Sequence, residues 1–480
     1  MSDNTESLEG IQPVVDSTGK PPLMGGSLAL AKNTVSSKPK IFAWSLWDWG
    51  TQPFYTVITT FVFSVYITKP DFFAWNSNAN GPSLAYSVSV TICGVFIALV
   101  APVLGQSADR SGHLVRNMRI LTWGLGLVSA ALWFVEPRPG FLVLGLVLLA
   151  VGTVIGEISG SFYNATIDQV ATEKNVGKVS GFGWGMGYIG GILVLLLILF
   201  LVGVDSADQI RLGMVVCGVW ILVFTVPAFL VLHDRPAVKE RASKLGVIGS
   251  YKALFRSIRE IWHTDRQVAY FLLASAVFRD GLAAVFSFGA TIASLSFGFE
   301  FSEVVMFGAA ANLIAGLITM LFGLLDDKLG SKKIILICLG ILIAGCVLTF
   351  FLHRPEYGLH VGDVGYDAAL SHQGKVIFWV LGLSLSSFCG PAQAAARSFL
   401  ARIIPEGHSG EIFGLYTTTG RVISFLSPAL FGVMVWVGSK VSGVSSDVSA
   451  QHWGLWAIAI VLAAGFLVLL PVKAKPREKV

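Results

Sequence analysis

Gly105-Gln-Ser-Ala-Asp109-Arg110-Ser-Gly112-His113-Leu-Val-Arg116 lies between two apolar runs, each long enough to cross a bilayer. It returns as Gly323-Leu-Leu-Asp326-Asp327-Lys328-Leu-Gly330-Ser-Lys332-Lys333. Each copy begins with a glycine, places an aspartate four residues on, follows it with a cation and turns on a second glycine. The flanking runs are apolar all round, which suits a buried or spanning helix and not an amphipathic surface one. The copies start at 105 and 323, so the chain reads as a duplication.

Composition agrees. The chain has 480 residues, 54% hydrophobic and 13% charged, against about 25% charged in a soluble protein. The net charge of +5 falls in short loops beside apolar runs. That pattern orients a membrane protein and does not point to nucleic acid. Cys93, Cys217, Cys338, Cys346 and Cys389 all lie in apolar runs without metal-ligand spacing. They read as core filler, and no disulfide framework, metal or other cofactor is expected. Residues 1–40 are polar and lack the basic start and apolar stretch of a signal peptide; a disordered tail is expected there.

A span needs about 20 apolar residues. That rule predicts an all-α membrane protein with twelve spans: 41–67, 84–107, 116–135, 140–163, 178–203, 210–232, 267–296, 302–325, 332–352, 375–399, 410–437 and 451–471. The polar stretch 233–266 divides them into six-helix bundles at 41–232 and 267–472, with a basic tail at 473–480. Within it, Tyr251–Trp262 reads either as a basic amphipathic helix on the inner leaflet or as a plain connector. Lysines and arginines cluster before the first span, in both repeated turns, in the linker and in the tail. Both termini are therefore expected in the cytoplasm of a cell-membrane protein. Register supports the duplication. Asp48 and Asp280 match at an offset of 232, and Asn164–Asp168 matches Arg397–Ala401 at 233. Insertions in outer loops account for the smaller spacing of the turns.

Two readings of the repeated turn stand side by side. Asp109 and Asp327 can pair with cations (Arg110, Arg116, Lys328, Lys332) and accept from helix N-terminal amides, locking a cytoplasmic gate. Gly105 and Gly323 would let helices approach closely there. Alternatively, each is an orienting turn that happens to carry an acid. The doubling favours the lock.

Ionisable groups within spans are functional candidates because charge in a bilayer is costly. At about 1.5 Å per residue, Asp48 lies about 10 Å in, Arg421 about 16 Å, and Arg279 and Asp280 about 18 Å. Glu157 and Asn312 join them, with Gln52, Trp184 and Tyr416 as polar or aromatic wall. A hollow holding both signs of charge suits a zwitterion; the competing reading is a set of structural ion pairs. In span one, Pro53 must free a carbonyl about one turn back, near Trp49. Trp44 reads as an interfacial anchor. The glycines of Ser180–Gly191 make a smooth packing face and not a nucleotide loop, since no strand precedes them.

The repeated turn resembles the signature loop of the major facilitator superfamily. The resemblance covers about residues 41–472 and implies two six-helix halves that alternate access to a central cavity. The second copy departs, with Lys328 for the usual arginine and the extra acid Asp326. Trp47-Asp48-Trp49, Ser180–Gly191, Arg279-Asp280-Gly281 and above all 393–432 resemble the vacuole-effluxer-like branch. That branch implies neutral amino acids leaving a compartment. Trp47, Gly50, Thr51, Gln52 and Arg279 depart from its pattern.

These features predict a gradient-driven transporter of a small polar solute, amino acids or related zwitterions first, working in export as a monomer. A proton-coupled exporter of hydrophobic cations and a non-transporting receptor are the alternatives. No paired Ser/His or Cys/His set, HExxH or phosphate loop is present, so an enzyme is not expected. Protons are the candidate coupling ion and Asp48 the candidate carrier of the proton.

Overall fold

The computed structural model describes residues 29–30, 36–74, 81–235, 247–264, 266–359, 370–405, 407–443 and 447–473. Ten of the described helices are long and apolar enough to cross a membrane. They include α2 (Gly81–Ser111), α4 (Leu142–Ala165), α5 (Val176–Leu197) and α6 (Ala207–Phe224) of the first half. In the second half they include α7 (Arg266–Phe297), α8 (Phe301–Leu329), α9 (Ser331–Phe350) and α10 (His372–Ile403). There too α11 has two pieces, α11a (Ser409–Ile423) and α11b (Leu426–Ser442), and α12 spans Gly454–Leu469.

The other two expected spans are helical but of a different make. α3 (Leu114–Ala131) carries Arg116 and Arg119 in its first turns, which lowers its apolarity. α1 runs Lys38–Pro53, then continues as a π-helical stretch Phe54–Phe61 and a short helix Phe63–Ile67. Pro53 brings no N–H to the ladder. The carbonyl of Trp49 is reached instead by the Trp220 indole N–H at 3.3 Å. Within the widened stretch, the Thr59 and Thr60 hydroxyls both donate to the Tyr55 carbonyl at 2.8 Å.

The duplication is visible in the packing. α2 packs on α11a, and α5 packs on α8. Exchange of the halves turns α2 into α8 and α11 into α5, so the two interfaces are copies of one contact. Small residues make both possible. A Cβ added to Gly181 would lie 2.7 Å from the Gly323 Cα. One added to Gly414, 233 residues on, would lie 2.9 Å from the Pro102 Cα.

The linker holds a helix, Val247–Thr264. It lies against α2, where the Tyr251 hydroxyl donates to the Leu99 carbonyl at 3.2 Å. Residues 1–28, 31–35 and 474–480 lie outside the described residues, and with them most of the expected disordered and basic tails. Ala29 and Leu30 depart from that expectation: both are buried, and the Ala29 amide donates to the Ile404 carbonyl at 3.0 Å.

Candidate functional site

Three layers of polar contact join the halves, counted from the face that carries the repeated turns, the expected inner face. In the outermost layer Asp109, at the end of α2, accepts from the Gly410 and Glu411 amides at 3.0 and 2.7 Å. Asp327, at the end of α8, accepts from the Gly177 and Lys178 amides at 2.8 Å each. The donating amide pairs are 233 residues apart, the same register as Asn164 and Arg397. Each aspartate thus caps the first turn of a helix in the opposite half, where free N–H groups and the helix dipole favour negative charge.

Three of the four expected cations are placed differently. Lys328 and Arg116 are exposed. Lys332 donates to the Leu470 carbonyl at 2.6 Å, within its own half. Arg110 is half-buried in the turn. An ion pair to Asp327 comes instead from Arg402 at the end of α10, 2.9 Å away. Arg402 also meets the extra acid Asp326 at 2.8 Å, and Ser331 and Ser398 hydrogen-bond that same carboxylate. The acid that departs from the family pattern therefore fixes the cation that braces the cap.

The middle layer centres on Arg397, which sequence reasoning placed in a family motif but not in the site. It sits six residues before the inner end of α10 and is buried. Its guanidinium crosses into the first half. Nε donates to the Ser180 hydroxyl at 2.9 Å, and Nη2 to the Ser180 carbonyl at 2.7 Å. Nη1 donates to Asn164 Oδ1 at 3.1 Å and lies 3.4 Å from Asp48 Oδ2. The rings of Trp44, Tyr163 and Trp184 surround it at 5.2–5.8 Å. Asn164 and Arg397 are the duplicated positions noted in the sequence, and they meet across the boundary between halves. Trp44 is fully buried, stacked on Tyr163 and bonded to Thr166, so it is part of this cage and not an interfacial anchor.

Above this floor opens a cavity of about 410 Å³. Asp48, Gln52, Glu157, Trp184, Arg279, Asn312, Arg397 and Tyr416 all line it. Arg279 packs its guanidinium 3.9 Å from the centre of the Tyr416 ring and donates to the Tyr416 carbonyl at 2.9 Å. No carboxylate among the described residues pairs with it. Trp184 Nε1 and Ser161 Oγ, on the same walls, are buried with no hydrogen-bond partner among the described residues.

Two expected cavity residues lie elsewhere. Asp280 accepts from the Ser427 amide at 2.7 Å, capping α11b where α11 breaks. Its neighbour Arg279 points a helical step away, so the adjacent pair divides between cavity and hinge. Arg421 forms the third layer: it pairs with Glu157 across the halves and lines a side cavity of about 220 Å³ next to the main one. Among the described residues no group of three or more His, Cys, Asp or Glu side chains could hold a metal ion.

Comparisons with known proteins bear on the family and the fold. The family described as Vacuole effluxer Atg22 like matches residues 165–474. An uncharacterized MFS-type transporter, YxiO of Bacillus subtilis, is 25% identical over 88% of this chain and 93% of its own. Autophagy-related protein 22-1 of Neosartorya fischeri is 29% identical over 54% of this chain, which spans 43% of that protein. Among solved structures, the proton:xylose symporter XylE superposes with a TM-score of 0.65 at 13% identity, over 89% of this chain and 94% of that one. A bacterial homologue of the iron transporter ferroportin in an outward-facing state gives 0.60 at 14%, over 90% and 97%. The fold is that of the major facilitator transporters.

Proposed function

Because the chain belongs to the vacuole effluxer Atg22-like family, we propose that it exports small carboxylate-bearing solutes, amino acids first, by rocking its two halves about the central cavity. It is a multi-pass membrane transporter of the major facilitator type. The observation that carries the substrate reading is Arg279. A cation inside a membrane protein is costly unless matched, and among the described residues this one holds only a carbonyl and an aromatic face. A substrate carboxylate supplies the missing charge and two acceptor oxygens for its fork. Trp184 Nε1 offers a further donor. The ammonium end has the rings of Trp47, Tyr188 and Tyr416 and the amide oxygens of Gln52, Asn312 and Gln393 on the same walls.

Export of hydrophobic cations is disfavoured by the same geometry. That chemistry needs an acid free to meet the cargo, and both acids of the cavity are paired with arginines. In the proposed cycle the layers described above form the inner gate. Asp109 and Asp327 release their helix caps, and Arg397 withdraws from Asp48, Asn164 and Ser180, when the inner ends part. In this reading the protein works as a monomer in the cell membrane, and the lysine and arginine bias of the loops supports cytoplasmic placement of both termini.

The test is a thermal-shift panel on the purified protein: amino acids, their decarboxylated amines, sugars and cationic dyes. A ligand at a hundredfold excess over its Kd adds about 2.7 kcal/mol of stability. Amino acids should raise the melting temperature and their amines should not. Arg279→Met should erase the difference. Stabilisation by amines or dyes in place of amino acids would contradict the reading.

A further inference from the structure

We infer that the linker helix, Val247–Thr264, is a docking surface for anionic phospholipid of the expected inner leaflet. An apolar stripe enters the acyl chains, and a basic stripe beside it receives the headgroup phosphates. The inference goes beyond the transport reading and does not depend on the cargo.

Helical spacing divides the described side chains of this element into three directions. Tyr251, Phe255, Ile258 and Trp262 follow one another at alternating four- and three-residue steps. At about 100° per residue they fall within about 60° of one another. Lys252, Arg256, Arg259 and His263 repeat those steps one position on and form a second stripe about 100° round. Ile261 lies about 90° to the other side of the apolar stripe.

Exposure follows the same division. Ile261 is 3% exposed, and the helix packs on α2 and α7. Phe255 is 69% exposed and Trp262 49%. Lys252, Arg256, Arg259 and His263 are exposed as well. One side thus meets the protein, while an aromatic stripe and a basic stripe are left facing outward. In water such an aromatic stripe is a liability; at a bilayer surface it is the face that a flat-lying helix buries.

The direction of that stripe is fixed by its first member. The Tyr251 hydroxyl donates to the Leu99 carbonyl of α2 at 3.2 Å. α2 has 31 residues, a length of about 46 Å, against about 30 Å of hydrocarbon. Centred in the bilayer, it overhangs by roughly 8 Å on each side. Leu99 lies about 18 Å from the end of α2 at Ser111, and so about 10 Å inside the hydrocarbon. An interfacial helix buries its apolar face by about 5–10 Å, which agrees. Phe255, Ile258 and Trp262 share the heading of Tyr251 and point into the acyl chains with it. At the far end the Trp262 ring packs edge-on against Tyr270 of α7, 5.8 Å between centres. The basic stripe then runs along the level of the headgroups.

Charge selects among headgroups. The stretch 233–266 carries eight lysines and arginines against four acids, and the helix itself three against Glu260. A headgroup of net negative charge complements this, whereas a zwitterionic one brings its own cation. Free phosphate has the charge but lacks the chains that the aromatic stripe would cover.

The test is native mass spectrometry of the full chain in detergent, with equal amounts of phosphatidylglycerol and phosphatidylcholine of the same acyl chains. One cation at an anionic surface favours association by about fivefold. Bound phosphatidylglycerol should therefore exceed phosphatidylcholine by roughly fivefold or more. The triple variant Lys252→Gln, Arg256→Gln, Arg259→Gln should bring the two near parity. Lys174→Gln, Lys328→Gln, Lys333→Gln, which takes the same charge from exposed positions elsewhere, should keep the preference. No preference in the wild type, or equal loss in both triple variants, overturns the inference. So does a dimer mass that the linker variant abolishes, since a second copy would then be the occupant. Depth gives a second reading that needs no triple variant. The native cysteines are buried, so a nitroxide can be confined to Phe255→Cys or His263→Cys in vesicles containing phosphatidylglycerol. The first should collide with oxygen and be shielded from a water-confined nickel chelate, and the second should do the reverse. A label at 255 open to the chelate, as a soluble acidic partner in place of the bilayer requires, overturns the inference.

Discussion

Gly181→Ala is the most exacting single perturbation of the proposed inner gate. The added Cβ would lie 2.7 Å from the Gly323 Cα and 2.7 Å from the Thr319 carbonyl oxygen. Both are backbone atoms, so no side chain can swing aside; α5 and α8 must separate. Overpacking of this kind costs typically about 1–3 kcal/mol. The cost falls on the state in which the inner ends touch and vanishes when they part. The equilibrium between states should therefore move toward the inner-open one by roughly 5- to 150-fold. Spin labels at Lys174→Cys in the first half and Lys333→Cys in the second, both exposed positions in a chain whose native cysteines are buried, read this directly as growth of the longer distance. Gly94→Ala is the control, because a Cβ there meets nothing within 4 Å. A folded Gly181→Ala protein whose distances match those of Gly94→Ala would refute the claim that this contact belongs to a moving interface.

Other residues make separate predictions. Arg397→Lys keeps the charge but loses the planar fork that reaches Ser180, Asn164 and Asp48 together; exchange in proteoliposomes should fall roughly 10- to 100-fold, at about 1.4 kcal/mol per decade, with the melting temperature lowered as well. Asp280→Ala removes the cap on the Ser427 amide, and loss of an N-cap costs about 1 kcal/mol. Its effect should appear in the denaturation midpoint while amino-acid binding in the thermal-shift panel persists. Trp220→Phe strips the Trp49 carbonyl of its donor beside Pro53 and should cost about 1 kcal/mol of stability, a loss that Pro53→Ala, which restores a backbone donor, should partly reverse.

Much of this architecture is written in the chain. Spanning helices reveal themselves because bilayer length and apolarity leave few alternatives. The repeated turn and the 233-residue register are properties of a duplication. They carry through to the structure as Gly177 with Gly410 and Gly181 with Gly414. The carbonyl freed by Pro53 follows from the missing N–H alone. Less legible are features set by direction and partnership. Arg397 enters the sequence reading only through its register with Asn164, because nothing in its own helix tells that its side chain runs inward into the other half. Asp280 and Arg279 are neighbours in the chain, yet one helical step of about 100° sends one to a hinge and the other to the cavity. Trp44 resembles a membrane anchor because nothing in its own helix announces Tyr163 and Thr166. Span three falls short in apolarity through Arg116 and Arg119 in its first turns.

The central claim is that a carboxylate held at Arg279 is carried across the membrane. Counterflow in proteoliposomes loaded with unlabelled amino acids tests it most directly. Wild-type vesicles should transiently accumulate a radiolabelled amino acid above equilibrium, and Arg279→Met vesicles, with the fold intact, should not. Accumulation that is equal in the two, or driven by the decarboxylated amine as well as by the amino acid, would contradict the account.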